Sequence, residues 1–376
     1  MSNDFGLQNQ SEFPLVSICI PAYNSEATLG ATLNSVLSQD YPCLDIVVSD
    51  NQSTDHTKEI VQRYAEHGVR YCLHPEGRPA WAVAMPNYIG GYANWNYVLS
   101  QGHGDYLCLF HSDDLYEPSI VRRQVAVMQA NPQVGAVFTQ LRYIGEDSRP
   151  IHMGMSKLPD GLNEEQPLDF ATLLNLVLTH SNFLPTPSVM LRRSVLDKVG
   201  GFDERNFLTS ADLEMWLRIA YQGNKIAIID EPLLKYRISH KQFGAQYNKL
   251  RTTPTDIFTV LDYFLAQSEV HRIVKSDAMA FYEVDRAVDN VLCAMNLLVQ
   301  NNIADAKQRL TSALCPQNFV SAARRPRRFA QLVVGVGLLA CISVGLGVVA
   351  GKGLYKIHQN IIQQRQRPIA NEWINQ

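Results

Sequence analysis

Several absences bound this chain before any motif is read. Its seven cysteines stand at 19, 43, 72, 108, 293, 315 and 341, odd in number and never as Cys-x-x-Cys. No disulfide framework fits that pattern, so we expect reduced thiols in a cytosolic setting. The polar start MSNDFGLQNQSEF has no apolar stretch of signal-peptide type, so residues 1–13 read as a loose leader. Charged residues are scarce at 18% against 46% hydrophobic, which excludes global disorder. Internal repeats and low-complexity tracts are also lacking. The 376 residues suffice for one large domain with appendages, or for two domains. Within a net charge of −3, eight Lys or Arg stand against Glu372 alone from Arg324 onward, so the preceding 323 residues are acidic. An acidic body of this kind excludes nucleic-acid binding along the whole length.

Of what is present, Tyr106-Leu107-Cys108-Leu109-Phe110-His111-Ser112-Asp113-Asp114 says most. The run Tyr106–Phe110 is apolar throughout rather than alternating, the pattern of a parallel strand buried on both faces. Adjacent carboxylates at the carboxyl end of such a strand sit where open α/β sheets bind ligands. Two like charges side by side need neutralising, and a divalent cation holding a diphosphate would do so. Earlier, Val16–Ile20 reads as a strand ended by Pro21-Ala22-Tyr23-Asn24, and Leu29, Leu33, Val36 and Leu37 follow at helical spacing. Asp45–Ser49 reads as a second buried strand, ending in Asp50-Asn51-Gln52-Ser53-Thr54-Asp55, with Ser53 or Thr54 capping a helix over 57–65. Strand, helix, strand, helix at this spacing predicts βαβ units and a parallel sheet.

Further strands are predicted near 70–73, 134–139, 186–191, 225–229 and 233–237, and helices over 94–99, 119–130, 194–199 and 211–222. Residues 75–91 and 145–168, rich in Pro and Gly, read as loops, and the pattern from 255 to 314 is helical.

The stretches PAYN, VVSDNQSTDHT, HSDDLYEP and SADLEMWLR resemble the successive signatures of family-2 inverting glycosyltransferases with the GT-A fold, over roughly residues 14–245. The resemblance implies an α/β fold: a Rossmann-like, mostly parallel mixed sheet flanked by helices. It also implies metal-dependent transfer of one sugar from a nucleotide-diphosphate sugar, with Mg²⁺ or Mn²⁺ as cofactor. By the resemblance, Asp114 holds the metal and Asp113 contacts the ribose. His111 stands where an aspartate is common; it reads as a satisfied strand-end histidine, with a metal ligand as the alternative. Asp50 is expected to read the base, with Asn51 in place of a second aspartate. Pro21 and Tyr23 are expected to form the floor under the base, with Asn24, Glu26 and Asn96 further donor contacts and Arg78 a phosphate contact. Asp212 inherits the role of base, with Glu214 the runner-up, Trp216 in the core and Arg218 a buried ion-pair partner. His240, in Tyr-Arg-x-x-His, is expected to reach the diphosphate or the metal. No Gln-x-x-Arg-Trp is present, which disfavours a processive synthase.

The tail adds Phe329–Gly351, twenty-three residues without a charge, preceded by Arg324, Arg325, Arg327 and Arg328 and followed by Lys352 and Lys356. It is long enough to span a bilayer as a helix. Gly347-x-x-x-Gly351 is a spacing at which two membrane helices pack closely, which leaves homo-oligomers open. The expected organisation is therefore leader 1–13, catalytic domain 14–250, helical extension 251–323, and a tail 324–376 with a transmembrane helix at 329–351. Such a chain would sit in the inner (cytoplasmic) membrane as a single-pass protein with its catalytic domain cytosolic, acting on a glycan or lipid-linked acceptor in cell-surface polysaccharide synthesis. A catalytically inactive, membrane-tethered nucleotide-sugar-binding protein and a nucleotidyltransferase are the rivals. The second would want a glycine-rich phosphate loop with a lysine, which PAYNSEATLG does not supply.

Overall fold

The computed structural model describes residues 13–76, 91–160, 162, 166–239 and 250–368. Strands β1 (Val16–Ala22), β2 (Leu44–Asp50), β3 (Val69–Leu73) and β4 (Tyr106–Leu109) lie in the order β3-β2-β1-β4, all parallel. The sheet continues through β8 (Met190–Arg192), antiparallel to both β4 and β6 (Val134–Ile144). Next comes β9 (Lys225–Arg237), parallel to β6, with β5 (Leu115–Tyr116) antiparallel on its far side. A side branch, β7 (Pro150–Met155), pairs with β6. This is the mostly parallel mixed sheet that the resemblance implies.

Continuous apolar runs form the parallel strands because both faces are covered. On β4, Leu107 and Leu109 enter one core layer while Tyr106 and Cys108 enter the other; on β1, Cys19 opposes Val16, Ile18 and Ile20 in the same way. The first layer packs under α3 (Gly91–Gln101), α5 (Phe170–His180) and α7 (Ala211–Tyr221), the second under α1 (Leu29–Leu37), α2 (Thr57–Gln62) and α4 (Ile120–Ala130). The short α6 (Arg193–Val199) follows β8 directly. Chain order runs outward from β1 through β2 to β3, then crosses back to β4 on the other side of β1. That reversal opens a crevice at the carboxyl ends of β1 and β4, the usual ligand site of such sheets.

Three expectations change. The segment 186–191 starts as a 3₁₀ turn at Thr186–Ser188, and only Met190–Arg192 is strand. The two strands expected at 225–229 and 233–237 are one strand, with register shifts around Gln140 absorbing Pro232. Part of the expected loop 145–168 is β7, an exposed strand that shows little alternation.

Beyond residue 250 the chain is helical: α8 (Asp256–Leu265), α9 (Ser276–Val299), α10 (Ile303–Ala313), α11 (Pro316–Ala322), α12 (Pro326–Ser343) and α13 (Gly347–Arg365). The apolar run 329–351 is therefore not one straight helix. It breaks at Val344–Leu346, where Gly345 adopts φ +77°, a backbone state that suits glycine. Both halves pack on α9. A Cβ at Gly335 would meet Val291 at 2.8 Å, and one at Gly351 would meet Leu298 at 2.6 Å, so these glycines serve close approach within the chain. Arg328 and Arg325 are drawn to Asp285 of α9 at 2.7 and 3.7 Å, leaving Arg324 and Arg327 exposed. Past α13 the chain returns to the sheet, where Ile151 bridges Pro368.

Candidate active site

The loop after β4 is anchored from several sides. Ser112 Oγ lies 2.8 Å from Ser25 Oγ, Thr28 Oγ1 donates to the Ser112 carbonyl at 2.9 Å, and Thr32 Oγ1 lies 2.8 Å from the Asp114 carbonyl. The His111 N–H donates to the Tyr116 hydroxyl at 2.6 Å, and the Tyr116 ring stacks on Phe110 at 3.7 Å. From the end of β9, the Arg237 N–H donates to Asp114 Oδ1 at 2.8 Å, and its guanidinium donates to the carbonyls of Asp113, Gly145 and Glu146 at 2.7, 3.0 and 3.0 Å. These bonds fix three side chains together: ligand atoms of His111, Asp113 and Asp114 all lie within 4.8 Å of one another.

Asp114 is fully buried, and burial first, then the neighbouring Asp113, pushes its carboxyl well above the usual range. Its Oδ2 has no hydrogen-bond partner among the described residues, and neither has the buried His111 Nε2. Burial also depresses the His111 imidazole to about 4, so it presents a neutral ring. The expectation of a satisfied strand-end histidine is thus overturned: this nitrogen is available as a ligand. Two buried atoms without a partner among the described residues, an imidazole nitrogen and a carboxylate oxygen, stand beside a second carboxylate, Asp113, a donor set that suits a divalent cation.

On the other wall of the crevice, Asp50 is 2% exposed. Its Oδ1 accepts from the Ser53 N–H at 2.8 Å and its Oδ2 from the Tyr71 hydroxyl at 2.9 Å, which orients the carboxylate and leaves each oxygen further acceptor capacity. Pro21 is buried at the end of β1, and Tyr23 beyond it is 40% exposed, a ring open to a ligand. Asn24 and Glu26 each hold a neighbouring loop. Asn24, at φ +48°, accepts the Thr54 N–H at 2.8 Å and donates its own N–H to Ser53 Oγ at 2.8 Å. Glu26 Oε2 accepts from the His56 N–H at 3.1 Å and lies 2.8 Å from His56 Nδ1. Both bind the β2–α2 loop to the β1–α1 loop at the rim of the crevice. Neither Ser53 nor Thr54 caps α2: its N-cap is His56, and Asp55, one residue earlier, accepts the Thr57 N–H at 3.0 Å.

Asn96 differs from its expected donor contact. Its Nδ2 donates to the Phe202 carbonyl at 3.0 Å and its Oδ1 accepts the Phe202 N–H at 2.8 Å, so the amide braces the turn before α7. Its neighbour Trp95 faces the site instead, 4.8 Å from the His111 ring and 4.7 Å from Tyr92. Arg78 and His240 lie outside the described residues.

At the start of α7, Asp212 Oδ2 accepts from Thr186 Oγ1 at 2.8 Å and Oδ1 from the Leu213 N–H at 2.7 Å. Burial raises its pKa, while hydrogen bonds from Thr186, Leu213 and Tyr92 oppose the rise. Tyr236 has its phenol pushed up by burial and by the charges of Asp114, Asp113 and Asp212, so the acidic motif and Asp212 border one region. Glu214 is buried and held by Arg218, with Nε–Oε1 at 2.8 Å and Nη2–Oε2 at 3.0 Å. Arg218 also donates to the Gly201 carbonyl at 2.7 Å, so this expected ion pair ties α7 to the preceding turn. Trp216 is fully buried against Phe138 and Phe202, as expected. Sequence reading missed Thr186, Tyr92 and Trp95 as site residues and the role of Arg237; among these, the motif Tyr236-Arg237 was the one visible signal.

Residues 17–200 match the sequence profile of Glycosyl transferase family 2. The putative teichuronic acid biosynthesis glycosyltransferase TuaG of Bacillus subtilis is 25% identical over 233 residues, covering 62% of this chain and 82% of its own. The amylovoran biosynthesis glycosyltransferase AmsB of Erwinia amylovora is 23% identical over 237 residues, covering 61% and 72%. The crystal structure of S. aureus TarS 1-349 in complex with UDP-GlcNAc superposes with TM-score 0.54 at 17% identity, over 92% of each chain, a likeness of fold. Residues 17–200, just under half of the chain, form a Glycosyl transferase family 2 domain with the strand-end acidic motif at the switch point of its sheet, and the chain is a glycosyltransferase.

Proposed function

We propose that this protein is a divalent-metal-dependent, inverting glycosyltransferase that moves one sugar from a nucleotide-diphosphate sugar to a glycan or lipid-linked acceptor in cell-surface polysaccharide synthesis. The observation that carries this reading is the His111–Asp113–Asp114 group, with two orphaned buried atoms at the carboxyl end of β4. His111 Nε2, the Asp113 carboxylate and Asp114 Oδ2 would hold Mn²⁺ or Mg²⁺. The cation would supply charge neutralisation of the diphosphate leaving group.

The chain's own residues supply the rest. Asp50 accepts from the base or sugar of the nucleoside, and Tyr23 stacks on the base. Asp113 faces the donor from the opposite wall. Asp212 accepts the acceptor hydroxyl proton as its oxygen attacks the anomeric carbon on the face opposite the departing diphosphate, which inverts that centre. A raised pKa makes its carboxylate a better base than an ordinary aspartate. Trp95, Tyr92 and Phe202 keep water from the wall between the acidic motif and α7.

We place the protein at the cytoplasmic membrane face. Support comes from α12, eighteen residues with mean hydropathy 1.2 and only 17% buried. At 1.5 Å per residue it is about 27 Å long, close to the hydrocarbon thickness of a bilayer. The relatives named for teichuronic acid and amylovoran synthesis support the polysaccharide setting. Incubating the full chain with a panel of UDP-, GDP- and dTDP-sugars, with Mn²⁺ or with chelator, tests the reading. Cation-dependent release of nucleoside diphosphate from one donor, with inverted product configuration by NMR, is the expected result. No turnover of any donor in either condition contradicts it.

A further inference from the structure

An apolar cavity of about 450 Å³ lies between α5, α8, α9, α12 and α13, distinct from the group at His111, Asp113 and Asp114. Its floor is made by Leu261, Val291 and Leu338, all buried. At its mouth stand Val334, Ile357 and Ile361, which are 41%, 56% and 47% exposed. Exposed apolar residues leading to a buried apolar floor form an open site, and its volume falls in the range of about 300–1,000 Å³ usual for small-molecule pockets. The acidic groups along its wall are already paired. Asp285 is bridged by Arg325 and Arg328, and Asp289 is paired with Arg251. A cationic ligand would find no free carboxylate at those positions, and the one positive charge left over from two arginines on Asp285 stands at the start of α12, where a lipid phosphate would meet it.

Two further observations say what the occupant is. First, the mouth is continuous with the exposed face of α12, where Phe329, Val333 and Val336 are 40%, 49% and 47% exposed, on the one helix among the described residues that is both long and apolar enough to cross a membrane. Exposed Arg324 and Arg327 lie at the start of that helix, where lipid phosphates would meet them. Second, the cavity wall runs directly into the segments that hold Asp212. Ser181 lines the cavity, and five residues on, Thr186 donates to Asp212. Thr255 lines it too, and the next residue, Asp256, accepts from Thr209 N–H and hydroxyl at 2.9 and 2.6 Å, just before α7.

We propose that this cavity binds the hydrocarbon chain of a lipid-linked acceptor, of acyl or polyprenyl type, drawn from the bilayer along α12. The acceptor role rests on the transferase reading above; binding of the chain does not. The test uses the full-length protein in phosphatidylcholine nanodiscs containing a diazirine-bearing farnesyl phosphate, with cross-linked peptides mapped by mass spectrometry. Labelling of α8, α9 and the inner face of α12, around Leu261, Val291 and Leu338, is expected. Tenfold excess of unlabelled farnesyl phosphate should suppress it severalfold. Leu261→Trp and Val291→Trp, which fill the floor, should each lower it tenfold or more. Labelling confined to the outer face of α12 at Phe329, Val333 and Val336 is what immersion alone gives, and would overturn the inference. So would an unlabelled cavity, whether another part of the chain or a second copy fills it. Because the competition arm uses the unsubstituted protein, a folding defect in either variant leaves the test decisive. Nucleotide-sugar turnover in the same nanodiscs separates the two readings: turnover without cavity labelling sinks this inference alone, and labelling without turnover of any donor sinks the transferase reading alone.

Discussion

The Arg237 main-chain N–H donates to Asp114 Oδ1 at 2.8 Å, joining the end of the last strand to the acidic motif across 123 residues. The bond consumes one oxygen of a fully buried carboxylate and leaves the other orphaned. Position 114 therefore has a structural role beside the ligand role proposed for it, and two substitutions separate them. Asp114→Asn keeps an acceptor for Arg237 and should lose cation-dependent donor binding with little change in unfolding temperature. Asp114→Ala also strands the Arg237 N–H and should cost about 1–3 kcal/mol more in denaturant unfolding.

Turnover should depend on Asp212 in a different way. Asp212→Asn is expected to keep donor affinity and lower turnover by a factor on the order of 10²–10⁴. Glu214→Gln, which breaks the buried pair with Arg218, should act mainly on stability. Single-turnover kinetics beside donor titration separates the two; loss of donor binding in Asp212→Asn with a purely kinetic defect in Glu214→Gln would exchange their roles.

The pH profile carries a sign. The folded pKa of Asp212 is raised by burial, so the base becomes protonated, and activity falls, at a pH above the ordinary carboxylate value of about 4. Thr186→Val removes a hydrogen bond to its carboxylate form and should move that acid limb of kcat/KM further up. For stability, a raised carboxyl pKa contributes below the unfolded pKa and is lost as pH rises through the folded pKa. Asp212→Asn should accordingly raise the unfolding temperature at neutral pH while lowering activity.

His111 should bias the choice of cation. Imidazole is a poor ligand for Mg²⁺, whereas carboxylates suit Mg²⁺ and Mn²⁺ alike. Thermal stabilisation by Mn²⁺ is expected to exceed that by Mg²⁺ in the native chain, and His111→Ala should narrow the gap. An unchanged gap would remove His111 from the ligand set.

Removing residues 324–376 should do more than detach the protein from membranes. Leu332 and Leu338 are buried against α9, and Gly351 packs on Leu298. Deletion strips that helix of its cover, so a lower unfolding temperature and detergent-dependent solubility are expected. The full chain should pellet with membranes and be released by detergent but not by salt.

Local sequence was enough for the elements that build the crevice. Val16–Ala22, Leu44–Asp50 and Tyr106–Leu109 are apolar because both faces are covered, and their polar endings are legible in the chain order. Asp50, Asp113 and Asp114 stand at or just beyond such endings, whereas Asp212, at a helix start, rests on the resemblance of SADLEMWLR. Helix α5 passed unread between 168 and 186, although Asp169 is an N-cap that accepts the Thr172 N–H at 2.8 Å and was visible in the sequence. Other errors came from pairings that sequence distance hides. Asn96 looks like a donor contact until Phe202, 106 residues away, takes both ends of its amide. His111 looks like a satisfied strand-end residue until burial against Trp95 is seen to leave Nε2 without a partner among the described residues. The apolar tail reads as one membrane helix because composition does not reveal that Gly345 turns the chain and α9 covers its inner face.

Calorimetric titration of the full chain with nucleoside diphosphate, with and without Mn²⁺, tests the metal-dependent donor site most directly. Binding that requires Mn²⁺ and disappears in Asp114→Asn is the expected result. Equal affinity with and without the cation, or unchanged Mn²⁺ dependence in the variant, would contradict the assignment of His111, Asp113 and Asp114 as the site that holds it.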